Sequence, residues 1–163
     1  MPMLPPVRFL DEVIRPALLA QYLPIAFDTR EARAVLLAWA LQLDGSDAGA
    51  GPWGFDRGSV LRVTLNPAVD DAAAIACQDA KIRCSARDIV RRIVQDHVLA
   101  CRLARLALAT DEHTLPAVHA QSEEQAWQLL MRVTRGSIAE AWGEEARNIW
   151  QNRWSYALQV VGA

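Results

Sequence analysis

With 163 residues, 52% of them apolar, 22% charged and a net charge of −2, the chain is sized for one folded domain with its own core. That balance excludes an intrinsically disordered chain, and no apolar run nears the roughly 20 residues of a membrane-spanning helix. Cys77, Cys84 and Cys101, an odd set without a CxxC pair, argue against a disulfide framework and a zinc site; they are expected as small core-filling thiols in a reducing compartment.

The hydropathy pattern is helical nearly throughout, without a 20–50-residue repeat or a low-complexity tract. Residues 1–7 read as a stiff, proline-rich lead-in. A first helix is expected from about Arg8 to Tyr22, kinked or divided by Pro16, whose ring removes a donor and clashes with the preceding turn. The second helix has Asp28 as its expected cap, with Glu31 completing a capping box. Its apolar stripe, Ala32, Val35, Leu36, Trp39, Ala40 and Leu43, is matched by apolar residues on the other side, which marks a central helix packed on several sides.

The small-residue loop beyond Gly45 leads to Trp53-Gly54-Phe55 and then a short helix from about Arg57 to Leu65. Asn66-Pro67 predicts a helix start, with asparagine as cap and proline in the first turn, running to about Asp79. Ser85 caps a further stretch to about Thr110, with a break near Asp96. After the loop HTLPAVHAQS, Ser122 and Gln125 form a second expected capping box, for a helix to about Thr134. A last helix, about Trp142 to Val160, carries Ala146, Ile149, Trp150, Arg153, Trp154 and Ala157 on one strip. The whole is read as all-α: a single helical domain, 1–163, of seven or eight helices around a buried central one.

Candidate chemistry is sparse. Asp44 and Asp56 flank the small-residue loop, and two such acids could serve as a general acid and its partner. The alternative is that Asp44-Gly45 is a turn and Asp56 a helix cap. Asp96 and His97 are adjacent on a helix and diverge by about 100°, so they cannot orient each other; His97 aligns with Val90, Ile93 and Cys101 as a core or cleft-edge residue. His113 and His119 lack a metal spacing, and neither GxSxG nor GxxxxGK[ST] occurs, so neither metal nor cofactor is expected. The six tryptophans could line a sugar site, but core packing explains those near the last helix more cheaply.

Charge is uneven. Between Lys81 and Arg105 seven basic residues, six of them Arg83, Arg87, Arg91, Arg92, Arg102 and Arg105, meet only Asp88 and Asp96. They read as a solvated helix face or as a basic face for a polyanion or acidic partner. The start, MPMLPPVRFLDEV, has no basic leader stretch, so synthesis as a soluble cytoplasmic chain without a signal peptide is expected.

The order RFLDEVIRPALL, ARAVLLAWALQLD and GPWGFDRGSVLRVTLNPA resembles small bacteriophage and prophage proteins related to lysozyme-like lytic transglycosylases. The likeness continues as a helix pattern through DHVLACRLARLALATDEHTLP and the aromatic last helix. It implies a lysozyme-like arrangement. In that group the central helix ends in Gln-Glu-Ser, whose glutamate is the acid, and an aromatic–glutamine–aromatic element with a following acid lines the sugar cleft. Here Gln42 matches the first position, Leu43 takes the glutamate's place and Asp44 the serine's. Trp53, Phe55 and Asp56 fit the second element, with Gly54 replacing its glutamine. Gln42, Trp53, Phe55 and His97 are therefore the expected binding residues.

The resemblance implies a virion component, of the tail or head–tail connector, made in a bacterial host cytoplasm and carrying a degenerate site. Its partners would be other phage structural proteins or peptidoglycan, with self-association open, no membrane, and nucleic acid not favoured. Two alternatives stand beside it. One is a weak peptidoglycan glycosidase or lytic transglycosylase using Asp44 or Asp56. The other is a small helical regulator that meets an acidic partner through its arginines.

Overall fold

A computed structural model describes residues 4–23, 26–43, 50–111, 114–134 and 143–162. Among these, the regular structure is helical: eight helices, short 3-10 turns and no strand. Pro6–Phe9, Leu10–Ile14 and Arg15–Leu18 run on as one helix, α1. Then come α2 (Arg30–Leu43), α3 (Arg57–Thr64), α4 (Asp70–Asp79), α5 (Ala86–Ile93), α6 (His97–Ala109), the 3-10 turn Ala120–Ser122, α7 (Glu123–Val133) and α8 (Glu144–Gly162).

Proline shapes α1 at both ends. The helix starts within the expected lead-in, because Pro6 sits in its first turn, where a missing N–H costs nothing. Pro16 is accommodated by widening the helix. Leu10–Ile14 form a π turn in which the Arg15 N–H reaches back to the Leu10 carbonyl, five residues away. The wider turn keeps the helix running where the Pro16 ring would strike the Glu12 carbonyl.

Several starts follow the local signals. Asp56, Ser85 and Asp96 each accept a hydrogen bond from the backbone N–H three residues on, capping α3, α5 and α6. Three starts differ. Thr29, not Asp28, caps α2 by accepting from Ala32 N–H at 3.0 Å. Asp28 is instead gripped by both ends of the Arg33 guanidinium, at 2.6 and 2.8 Å. Asn66 accepts from the Ala68 N–H in a single turn, so α4 begins only at Asp70. Ser122 is the last residue of the 3-10 turn, with φ −86° and ψ 5°, and its hydroxyl does not cap α7.

Two helices form the core. α2 is buried on nearly every side and packs most extensively against α8. α6 packs against α1, α2, α3, α4, α5 and α7, which makes it the hub of the bundle. Its sequence hides that role, because it carries two of the expected surface arginines. Arg105 is only 3% exposed. It lies over the Phe27 ring at 5.1 Å and donates to the Ala26 and Phe27 carbonyls at 3.1 and 2.9 Å. Arg102 lies over Tyr22 and donates to the Ala17 carbonyl. Both tie the chain after α1 to the hub.

The carboxyl-terminal aromatics are core residues. Trp150 and Trp154 are fully buried and stacked, and Trp127 packs on Trp150. Their indole N–H groups are satisfied by backbone: Trp150 donates to Glu123 O and Trp154 to His119 O. Arg147 covers Trp127 and pairs with Glu123 and Glu124, fastening α8 to α7.

Candidate functional site

The end of α2 and the loop that returns to α3 hold most of the expected site. Leu43 is 6% exposed and belongs to the continuous core. Asp44, its neighbour in sequence, lies outside the described residues. Gln42 is half-buried, and its side-chain N–H donates to the Ala146 carbonyl at 2.9 Å. It thus acts as a strut between α2 and α8.

The aromatic element is turned inward. Gly51 and Gly54 both adopt positive φ, +73° and +67°, and bracket a tight turn closed by a Gly54 N–H to Gly51 O bond. At Gly51 a Cβ would stand 3.2 Å from the Ile93 carbonyl, so the turn lies hard against the end of α5. This geometry drives Trp53 between α1 and α2. Its ring packs on Phe9 at 5.4 Å, and its indole N–H donates to the Leu36 carbonyl at 3.0 Å. Phe55, 3% exposed, packs on Trp39 at 6.0 Å. Neither ring offers the open face that stacking on a sugar requires, because the backbone turn places both in the core.

Asp56 is engaged as a cap through one of its oxygens. Its Oδ1 accepts from the Ser59 N–H and hydroxyl, both at 2.8 Å. Burial would raise its pKa, but these bonds and the Arg62 charge outweigh it and hold the carboxyl below its ordinary 3.8. A carboxyl held in the ionised form has no proton to deliver near neutral pH, the opposite of what a general acid needs.

His97 lies elsewhere, at the rim of an open groove of about 450 Å³ where the first turns of α1 meet the α5–α6 corner. Val13 and Val98 contribute apolar lining, while Glu12, Arg92, Asp96 and His97 contribute polar groups. These groups have structural partners. Glu12 pairs with Arg8, Asp96 caps α6, Arg92 donates to the Ala80 carbonyl, and the His97 ring bonds the Val94 carbonyl at 3.2 Å. The fold does not bring His97 together with the Trp53 element. A smaller cavity of about 200 Å³ lies beside Phe55, between α3, α6 and α7. Arg62, Asn66 and Arg132 line it, no carboxyl does, and Arg132 is paired with Asp111 at 2.8 Å.

The basic face is smaller than its sequence span. Arg83, Arg87, Arg91 and Arg92 are exposed, at and along α5, with Lys81 just before them. Arg102 and Arg105 belong to the hub described above. Sequence reading also missed Cys84, which is exposed, unlike buried Cys77 and Cys101. Among the described residues, no cluster of histidine, cysteine and acids could hold a metal ion, and no helix is long and apolar enough to cross a membrane. No family model matches the chain, and no curated protein or solved structure matches it either.

Proposed function

We propose that this chain is a non-catalytic binding protein, a degenerate lysozyme-like component of a phage particle placed in the tail or at the head–tail connector. The observation that carries the loss of catalysis is Leu43. The resemblance assigns this position to the proton donor, and a hydrocarbon side chain lies there buried in the core. General acid assistance alone is typically worth about 10²–10⁴-fold in rate, and leucine supplies none. The inward packing of Trp53 and Phe55 and the ionised capping role of Asp56 support the same reading.

The face offered to a partner is the exposed row on α5. Arg87 and Arg91, four residues apart in α5, share one side of the helix, with Arg92 beside them and Arg83 in the turn just before it. Such a row suits an acidic surface on another particle protein, and its exposure also favours the second reading, a helical regulator of an acidic partner.

A zymogram on purified cell wall, run with the protein and with Asp44→Asn and Asp56→Asn, tests the proposal. No clearing is expected from any of the three. Clearing by the unsubstituted chain that either variant abolishes would overturn it. Co-sedimentation with assembled particles separates the two binding readings: a virion component stays with the particle, whereas a regulator is recovered apart from it. In either case binding through the arginine row weakens as salt rises.

A further inference from the structure

The cavity of about 200 Å³ beside Phe55 is walled by two helices that each bring an arginine to it. Ser59, Arg62, Val63 and Asn66 follow one another at helical spacing, so a single face of α3 and the residue just past its end form one wall. Arg132 and Val133 of α7 form another, and Ala107 and Thr110 at the end of α6 complete the lining.

Hydrogen bonding within this lining leaves donors over and uses up acceptors. The Ser59 hydroxyl gives its proton to Asp56 at 2.8 Å and receives Arg62 Nη2 at 3.4 Å, which places the Arg62 guanidinium on the Ser59 side of the cavity. Arg62 has no carboxylate within ion-pair distance among the described residues, so most of its donors are uncommitted. Asp111, which is not part of the lining, takes Arg132 Nε at 2.8 Å and Nη2 at 3.4 Å and leaves Nη1. The Asn66 side-chain carbonyl accepts from the Ala68 N–H at 2.9 Å, and its amide N–H₂ is left to donate. At the end of α6 the Thr110 hydroxyl closes the Ala107 carbonyl at 2.6 Å.

We propose that this cavity binds a small tetrahedral oxyanion of the phosphate class, held between Arg62 and Arg132 with the Asn66 amide as a third donor. The volume lies below the roughly 300–1,000 Å³ of pockets for drug-sized ligands, so the occupant is small. Guanidinium groups from separate helices can each fork a different edge of a tetrahedral anion, whereas a planar carboxylate offers a single edge. Both arginines stand in the last turns of their helices, where the helix dipole favours a cation without consuming its donors. Arg62 is exposed, so the site exchanges with solvent. It shares no residue with the arginine row of α5.

The test follows the arginine Nε–Hε signals of the full chain by nitrogen–proton correlation spectra during titration with inorganic phosphate, with chloride keeping ionic strength constant. The Arg62 and Arg132 signals should shift to saturation, while those of Arg83, Arg87 and Arg91 should not saturate. Arg62→Gln, a change at an exposed position, should weaken binding about tenfold or more, the loss of a charge-assisted hydrogen bond. Asn66→Ala should weaken it less, because its amide is uncharged. Circular dichroism checks that both variants keep the fold. Acetate at equal concentration should not displace phosphate. Displacement by methyl phosphate would identify a phosphate monoester as an accepted ligand, and its failure would restrict the site to free phosphate; both agree with the proposal. The proposal is overturned if phosphate shifts no signal to saturation, or if only the α5 arginines respond. It is also overturned if Arg62→Gln binds as tightly as the unsubstituted chain, or if acetate displaces phosphate.

Discussion

Tyr22 joins parts of the chain that sequence reading leaves apart: its hydroxyl donates to Asp79 Oδ2 at 2.6 Å, linking the segment after α1 to the end of α4. Burial is the largest cause raising its pKa, the Asp79 hydrogen bond and charge add to it, and the Arg102 cation above the ring opposes them; the phenol is pushed from 10.0 up to about 12. A group whose folded pKa exceeds its unfolded one stabilises the fold fully below the unfolded value. That contribution fades as pH rises from about 10 through about 12, so alkaline unfolding should set in across this window. In a Tyr156→Phe background, absorbance at 295 nm should give a Tyr22 midpoint near 12. Asp79→Asn should lower that midpoint without returning it to 10.0, because burial remains. A midpoint unmoved by Asp79→Asn would refute the link. The arginines show why residue roles were only partly legible. Arg83, Arg87 and Arg91 are exposed as their charge implies, but Arg102 and Arg105 carry the same guanidinium into the core. What decides between these fates is the presence of free carbonyls and an aromatic face at Ala17, Tyr22, Ala26 and Phe27, residues about 80 positions away.

At the scale of elements, helix starts that rest on one side chain and the next three residues were legible at Asp56 and Ser85, whereas at Asp96 only a break was expected and its side chain proves to cap α6. Starts that depend on a competing partner were not. Asp28 lost its capping role because Arg33 offers it a two-pronged ion pair, leaving Thr29 to cap. The inward turn of Trp53 and Phe55 was also hidden. The composition GPWGF announces a turn, but which way its rings point is set by the left-handed glycines and by a slot beside Phe9 and Leu36. Two substitutions with opposite signs check the turn geometry. Lys81 occupies the left-handed residue of the α4 terminus, a conformation costing a non-glycine residue about 1 kcal/mol. Lys81→Gly should therefore stabilise the protein, by about 0.5 kcal/mol after the added freedom of the unfolded chain is subtracted. Gly51→Ala meets both a positive φ of +73° and the Ile93 carbonyl at 3.2 Å, and should destabilise by more than about 1 kcal/mol. Urea midpoints at unchanged slope read both effects. Destabilisation by Lys81→Gly would show that the lysine side chain contributes more than its backbone strain removes.

For the molecule as a whole, an all-α class and the apolar character of α2 could be read from periodicity, which is a local property. The partners of α2 could not. Its most extensive packing is with α8, about a hundred residues later, and no local pattern encodes that pairing. Nor did periodicity single out α6 as the hub, since its arginines imitate a solvated face. The arrangement does fix an order of local stability, because backbone hydrogen bonds at the centre of a packed core open only when their neighbours leave. α2 and α6 have buried side chains around their circumference, whereas α5 buries only Ile89 and Ile93. In native-state hydrogen exchange, the amides of α2 and α6 should therefore be the slowest and report the free energy of global unfolding. α5 should open earlier in a smaller unit. α8 is the discriminating element. Although terminal in the described chain, it buries Trp150, Trp154, Ala157 and Val161, and its α2 contact closes one side of the core. Its buried amides should exchange with those of α2 and share their denaturant dependence. Exchange of α8 several orders of magnitude faster than α2 would mean that the last helix undocks by itself, and that the core of the domain is complete without it.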